Sequence, residues 1–251
     1  MNQNIRFHSP STDPGWGDQG RAEKASAILL TLELMTGLNF QDSRWVDVGC
    51  GCGEIAAHLS TQVGHMIAID PAPWQRWPTL RDTHPNLEFV QGDYTSNYPE
   101  PASVDVVICN QVYEHVPDPE ALLGFIYRIL KPGGYAYFAG PNLLFPIEPH
   151  VFWPFVHWLP RQFARALMRF FHAKYLVTAN LVTIWTLRRW FHDFEVRNAV
   201  PTILRNPDKY GRKGLLWHAA SMVPWCIFDM LTVFSPGFIF VLRKPDIYQT
   251  L

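Results

Sequence analysis

Asp47, Gly49, Gly51 and Gly53 stand in a D-x-G-x-G-x-G run, "DVGCGCG", directly after a short apolar stretch. Glycines at that spacing let a ligand approach the backbone, and the amides opening a helix there favour a carboxylate or phosphate. A dinucleotide loop wants G-x-G-x-x-G, but the sixth position counted from Gly49 is Glu54. A phosphate loop ends in G-K-[ST], which is absent. The acid at Asp47 is awkward beside a phosphate and suits a ligand carrying an amine as well as a carboxylate. Cys50 and Cys52 form a lone C-x-C without the further ligands of a zinc site. Taken alone, the loop also reads as a tight strand-to-helix turn.

It does not stand alone. Asp70 ends the apolar run "HMIAID", where a carboxylate can accept both hydroxyls of a ribose. Asp93, in "QGDY", closes the next run and can take an exocyclic adenine amine, with Tyr94 as an aromatic face beside it. Asn110 closes a fourth run, "VDVVICN". Each is individually a common loop residue; together they describe a nucleoside site with a zwitterionic tail. Two histidines offer a base: His115 in "YEHVPDP", and His150 in "FPIEPH" with Glu148 two residues before it. His115 can instead only hydrogen-bond the backbone and shape the pocket, and His150 can be a surface loop residue.

The elements that must position these residues alternate. Residues 18–38 have helical apolar spacing and stop at Gly37. "WVDVG" precedes the helical "EIAAHLSTQV", and "HMIAID" precedes a Trp-rich helix over 73–83. "LEFVQGD" follows, then "VDVVICN", the helical "DPEALLGFIYRIL", "KPGG" and the strand-like "YAYFAGP". Such alternation predicts an α/β fold with a doubly wound, mostly parallel sheet that binds ligands beyond the carboxyl ends of its strands. After Pro141 a helix is expected over 177–192, a strand at "FEVRNAV" and a last strand at "PGFIFVLRKP". That makes seven strands in one domain spanning 1–251, with a core over 44–142 and elaborations at 143–176 and 208–235.

These segments resemble the class I S-adenosylmethionine-dependent methyltransferases, nearest the ubiquinone- and menaquinone-biosynthesis group. "VDVGCGCGEIAAHLS", "AIDPA", "VQGDY" and "VDVVICNQVYEHVPDPEALLGFIYRILKPGGYAYFAGPN" carry the resemblance over about residues 44–142. It implies a Rossmann-like sheet with an antiparallel last strand and helical cap insertions after the fifth and sixth strands. It implies S-adenosyl-L-methionine as cofactor, with Asp47, Gly49 and Gly51 along the methionine moiety, Asp70 on the ribose, Asp93 on the adenine amine and Asn110 beside the sulfonium. Cys50, Pro71, Gly92, Tyr94 and Gln111, their neighbours in the same turns, complete the candidate cofactor set. The Asn-Pro-Pro-aromatic motif of base and glutamine methylation is missing, as is an Asp-Asn metal cluster. The expectation is therefore metal-independent O-methylation of a hydrophobic or lipid-linked acceptor. C-methylation, or a protein that binds the cofactor without transferring methyl, stands as the alternative. Glu54 and Asp47 argue against a nicotinamide oxidoreductase.

Composition sets outer limits. The chain has 251 residues, 48% hydrophobic and 17% charged, a formal net charge of −1 and a pI near 6.8. That supports a sizeable core and gives no sign of a nucleic-acid partner. The first residues lack the apolar run of a secretory signal, and the cysteines lack a disulfide framework, so a reducing cytoplasm is expected. On a helical projection of 160–175, Arg161, Arg165, Arg169 and His172 share one side, and Phe163, Leu167, Phe170 and Phe171 the other. Either the aromatic side packs on the domain, or the basic side binds an anionic substrate group, or the helix and the uncharged stretch from 214 form a hydrophobic substrate lid lying against an anionic membrane at its inner face. Pro224 and Asp229 interrupt 214–234, too short for a span.

Overall fold

The computed structural model describes residues 18–148, 152–171 and 179–246. In chain order the elements are α1 (Asp18–Thr36), β1 (Arg44–Val48), α2 (Glu54–Ser60), β2 (His65–Asp70), α3 (Trp77–Thr83), β3 (Leu87–Gln91), β4 (Val104–Asn110), α4 (Pro119–Ile129) and β5 (Leu130–Pro141). They continue with α5 (Arg161–Phe170), α6 (Ile184–Trp190), β6 (Glu195–Asn198), α7 (Val200–Arg205), α8 (Leu215–Ser221), α9 (Trp225–Thr232) and β7 (Gly237–Arg243). Short 3₁₀ turns occupy Val156–Trp158 and Pro207–Tyr210.

The seven strands form one sheet in the order β3-β2-β1-β4-β5-β7-β6, with β7 antiparallel to both of its neighbours. β1 pairs in parallel with β2 on one side and β4 on the other, so the order reverses at the β1–β4 seam. The central strands are buried on both faces, as parallel strands covered by crossover helices must be. Their period of two splits the core. Val46, Val48, Ile67, Ile69, Val107 and Cys109 face the α4 and α6 side. Trp45, Met66, Ala68, Val106 and Ile108 face α1 and α2.

Several boundaries differ from the sequence expectation. β5 starts at Leu130 and runs through the "KPGG" segment, because Leu130 pairs with Val104 before a register shift. α3 starts at Trp77 rather than at residue 73. The helix expected over 177–192 begins only at Ile184, where the Thr183 side chain caps it by accepting from the Thr186 amide. Just before it Val182 bridges Asn142, an extended backbone. α7 was not anticipated.

The elaborations are tied to one short stretch after β5. The buried Asn142 amide donates to the carbonyls of Val233 and Ser235 at 2.8 and 2.9 Å. Next to it, the Leu143 carbonyl accepts from Trp158 Nε1 at 2.6 Å and His157 Nε2 at 3.1 Å. α5 buries Ala164 and Met168 and leaves its aromatic row outside: Phe163, Leu167, Phe170 and Phe171 are all exposed, Phe170 at 77%. The buried side is the narrow row between the arginines and the aromatics, and it packs on Val156 and Trp153 of the same elaboration. His172, on the arginine side of that expected helix, lies outside the described residues.

Candidate active site

The candidate residues gather at the carboxyl edge of the sheet, on both sides of the β1–β4 seam. The loop after β1 is clamped to β2 by the amides of Gly49 and Cys50, which both donate to the Ile69 carbonyl at 2.8 and 3.0 Å. Gly53 has φ +87°, and a Cβ there would lie 2.4 Å from the Phe89 ring. Gly51, at φ +54°, is different: a Cβ would find only Trp74, at 3.9 Å. Positive φ requires glycine at both, but only at Gly51 does open space remain above the backbone.

Asp70 organises the far wall. Its Oδ2 accepts from the Gly51 amide at 2.9 Å, and its Oδ1 from the Ala72 amide at 3.0 Å and Trp74 Nε1 at 3.2 Å. Trp77 Nε1 donates to the Gly51 carbonyl at 2.9 Å. The Trp-rich segment thus fixes the glycine loop, a role that its sequence did not disclose. Pro71 is exposed beside Asp70, and its carbonyl accepts from Gln91 Nε2 at 3.3 Å. Asp93 holds its own turn after Gly92, its Oδ1 accepting from the Thr95 amide at 2.8 Å and hydroxyl at 2.6 Å. Tyr94 is partly buried against the α4-side core.

Asp47 is 5% exposed. Burial first, and the nearby Asp70 carboxylate second, push its carboxyl up to about 8. A cationic guest would reverse that shift by supplying the missing counter-charge. At the end of β4, Asn110 Oδ1 is enclosed and has no hydrogen-bond partner among the described residues. A buried acceptor of this kind is costly unless a ligand serves it. The next residue, Gln111, takes φ +60° while its amide donates to the Ala139 carbonyl at 2.7 Å. Left-handed backbone at a non-glycine residue concentrates at functional sites.

Two further charges come from α1 and were missed by the sequence reading. Arg21 is buried, with Nη1 2.6 Å from Cys52 Sγ in the glycine loop. Lys24, three residues on and so on the same helical face, feels the Glu114 carboxylate, while burial lowers its ammonium. No local signal marks these two residues, because their position depends on α1 packing against α2. Arg21 thus brings a cation to the glycine loop. α2 has only seven residues and begins with the buried Glu54, which pairs with Arg76 at 2.7 Å.

His115 sits after β4 as expected, its imidazole exposed and Nε2 3.8 Å from Oε1 of the fully buried Glu114. The structure thus places a histidine beside a carboxylate at the edge where Asn110 and Gln111 lie. His150 lies outside the described residues. Its neighbour Glu148 is fully buried. Among the described residues no cluster of His, Cys, Asp and Glu could hold a metal ion.

Acids at or just beyond the carboxyl ends of the first three strands, an enclosed amide oxygen ending the fourth and an antiparallel β7 beside β5 define an α/β domain of the methyltransferase type. A methyltransferase-domain family model matches residues 19–198, and the chain belongs to that family. A ubiquinone biosynthesis O-methyltransferase of Aliivibrio fischeri is 35% identical over 102 residues, 39% of this chain and 43% of the relative. One from Xylella fastidiosa is 33% identical over 129 residues, covering 48% and 52%. The matched stretch thus spans about half the length of these relatives or less. A solved S-adenosylmethionine-dependent methyltransferase from Aquifex aeolicus shares the fold, with a TM-score of 0.58 at 14% identity over 95% of this chain and all of that one.

Proposed function

We propose that the protein is an S-adenosylmethionine-dependent methyltransferase that methylates an oxygen of a hydrophobic small-molecule or lipid-linked acceptor. The observation that carries this is that Asp47, Asp70 and the unserved Asn110 Oδ1 stand at the carboxyl ends of the neighbouring strands β1, β2 and β4, where the strand order reverses. In this reading Asp47 holds the cofactor's ammonium and Arg21 its carboxylate. Asp70 takes the ribose hydroxyls and the second oxygen of Asp93 the adenine amine. Gly49, Cys50, Pro71, Gly92, Tyr94 and Gln111 shape the walls. The cofactor supplies an electrophilic methyl when bound.

The chain's own work is to align the acceptor and take its proton. His115, with Glu114 behind it, is the candidate base for a hydroxyl that adjoins Asn110; His150 is the second candidate. O-methylation is favoured over C-methylation by the names of the relatives and by a histidine at this edge. Calorimetry tests the reading: micromolar binding of S-adenosylmethionine with no binding of NADH is expected, and the reverse would overturn it.

We also propose that the protein lies against an anionic membrane surface. From residue 149 to residue 192 the chain carries Arg161, Arg165, Arg169, Lys174, Arg188 and Arg189 and no Asp or Glu. Phe163 and Phe170 stand out to solvent in the first elaboration and Leu215 and Leu216 in the second, Leu216 at 86% exposure. Among the described residues no helix is long and apolar enough to cross a membrane. A basic rim around exposed aromatics is the chemistry of interfacial contact.

A further inference from the structure

A cavity of about 180 Å³ lies between the Val156–Trp158 turn, the start of α5 and the extended segment before α6. Leu143, Val156 and Ala164 give it apolar walls; His157, Arg161 and Asn180 are its polar lining. Among the described residues no acidic side chain lines it. Arg161 donates to Asn180 Oδ1, so the guanidinium is held against one wall. A guanidinium has five donors in a planar fork and can hold a neighbouring amide and a carboxylate together.

The cavity adjoins the site described above. The Asn180 amide donates to the Glu114 carbonyl at 2.8 Å, which brings the cavity wall against the loop that carries His115. Leu143, whose amide donates to the Val182 carbonyl at 3.0 Å, lies two residues beyond the end of β5. His157 Nε2 donates to the Leu143 carbonyl at 3.1 Å, which fixes the ring as a wall. In size, a dry apolar cavity of about 150 Å³ is enough to hold a benzene ring.

We propose that this cavity receives the acceptor's ring end, and that the acceptor is an aromatic compound bearing an anionic oxygen group, held by Arg161. The inference rests on the methyltransferase reading and adds to it the acceptor's class and the residue that selects it. Apolar walls take the ring, and the guanidinium takes the anionic group. The contact through Asn180 and Glu114 sets the ring beside the β4 loop.

The test uses the full chain with methyl-labelled Leu, Val and Ala, saturated with S-adenosylhomocysteine. Benzoate is the probe and benzyl alcohol its neutral counterpart. Benzoate is expected to shift the methyl signals of Leu143, Val156 and Ala164 saturably, and benzyl alcohol to bind at least tenfold more weakly. Arg161→Gln should weaken benzoate at least tenfold, while Arg165→Gln, which does not line the cavity, should leave it unchanged. Equal binding of the two probes, shifts confined to other residues, or indifference to Arg161→Gln would each overturn the proposal. The comparison of the two probes on the wild type stands by itself where the Arg161 variant does not fold. Calorimetry with S-adenosylmethionine separates the two readings. Cofactor binding without benzoate shifts sinks only the cavity proposal, and absent cofactor binding sinks the reading beneath it.

Discussion

Asp47 and Asp70 are acids of the same opening held in opposite circumstances. Asp70 accepts three hydrogen bonds, whereas Asp47 is buried near another carboxylate and titrates at about 8. An unfolded Asp titrates near 3.9, so the folded state binds this proton more tightly. The stability that this gives is fully present below about pH 4, declines as pH rises and is lost through about pH 8. Asp47→Asn should therefore stabilise the cofactor-free protein at pH 8 by about 2–4 kcal/mol and hardly change it at pH 4. Thermal melts at the two pH values measure the difference. The same variant should fail to gain stability from S-adenosylmethionine. Asp70→Ala should weaken cofactor binding by about 1–3 kcal/mol in calorimetry, with unchanged affinity meaning that the ribose lies elsewhere. Both acids were legible in the sequence because a residue that closes an apolar strand has a fixed address in a parallel sheet. Arg21 and Lys24 were not, because only the docking of one helix on another gives them theirs.

At the scale of elements, α5 shows what a helical projection can and cannot reveal. The projection separated arginines from aromatics correctly. It could not tell which row would pack, and the row that does consists of Ala164 and Met168. Small or flexible side chains let the helix sit close while longer ones on both sides project. Replacing Arg161, Arg165 and Arg169 together with Gln should weaken binding to phosphatidylserine vesicles by about 3 kcal/mol, near 1 per basic residue. Flotation across a salt series reads this directly, and recruitment that ignores both salt and the substitutions would remove the electrostatic part. The late start of α6 has an equally local cause. Thr183 caps the helix, and Val182 is held extended by its bridge to Asn142. A tertiary contact thus shortened a helix whose residue pattern continued further toward the N-terminus.

Across the whole molecule, a buried side chain just beyond β5 ties the sheet to its elaborations. Asn142 is 1% exposed and holds the carbonyls of Val233 and Ser235, while its Oδ1 accepts from the Leu144 amide at 3.0 Å. Asn142→Ala should cost about 2–3 kcal/mol by leaving buried groups unserved. Limited proteolysis should then cut within 208–235 well before the core, and uniform protection would show that other contacts carry the cap. The order β5-β7-β6 has a consequence for how the chain is made. β7 leaves the ribosome after the six other described strands, yet it lies inside the sheet, between two strands synthesised before it. Until it arrives, β5 has an open edge and β6 has no neighbour. The whole aromatic stretch between them emerges before the sheet can close, a period in which nascent apolar surface is most prone to misassociate.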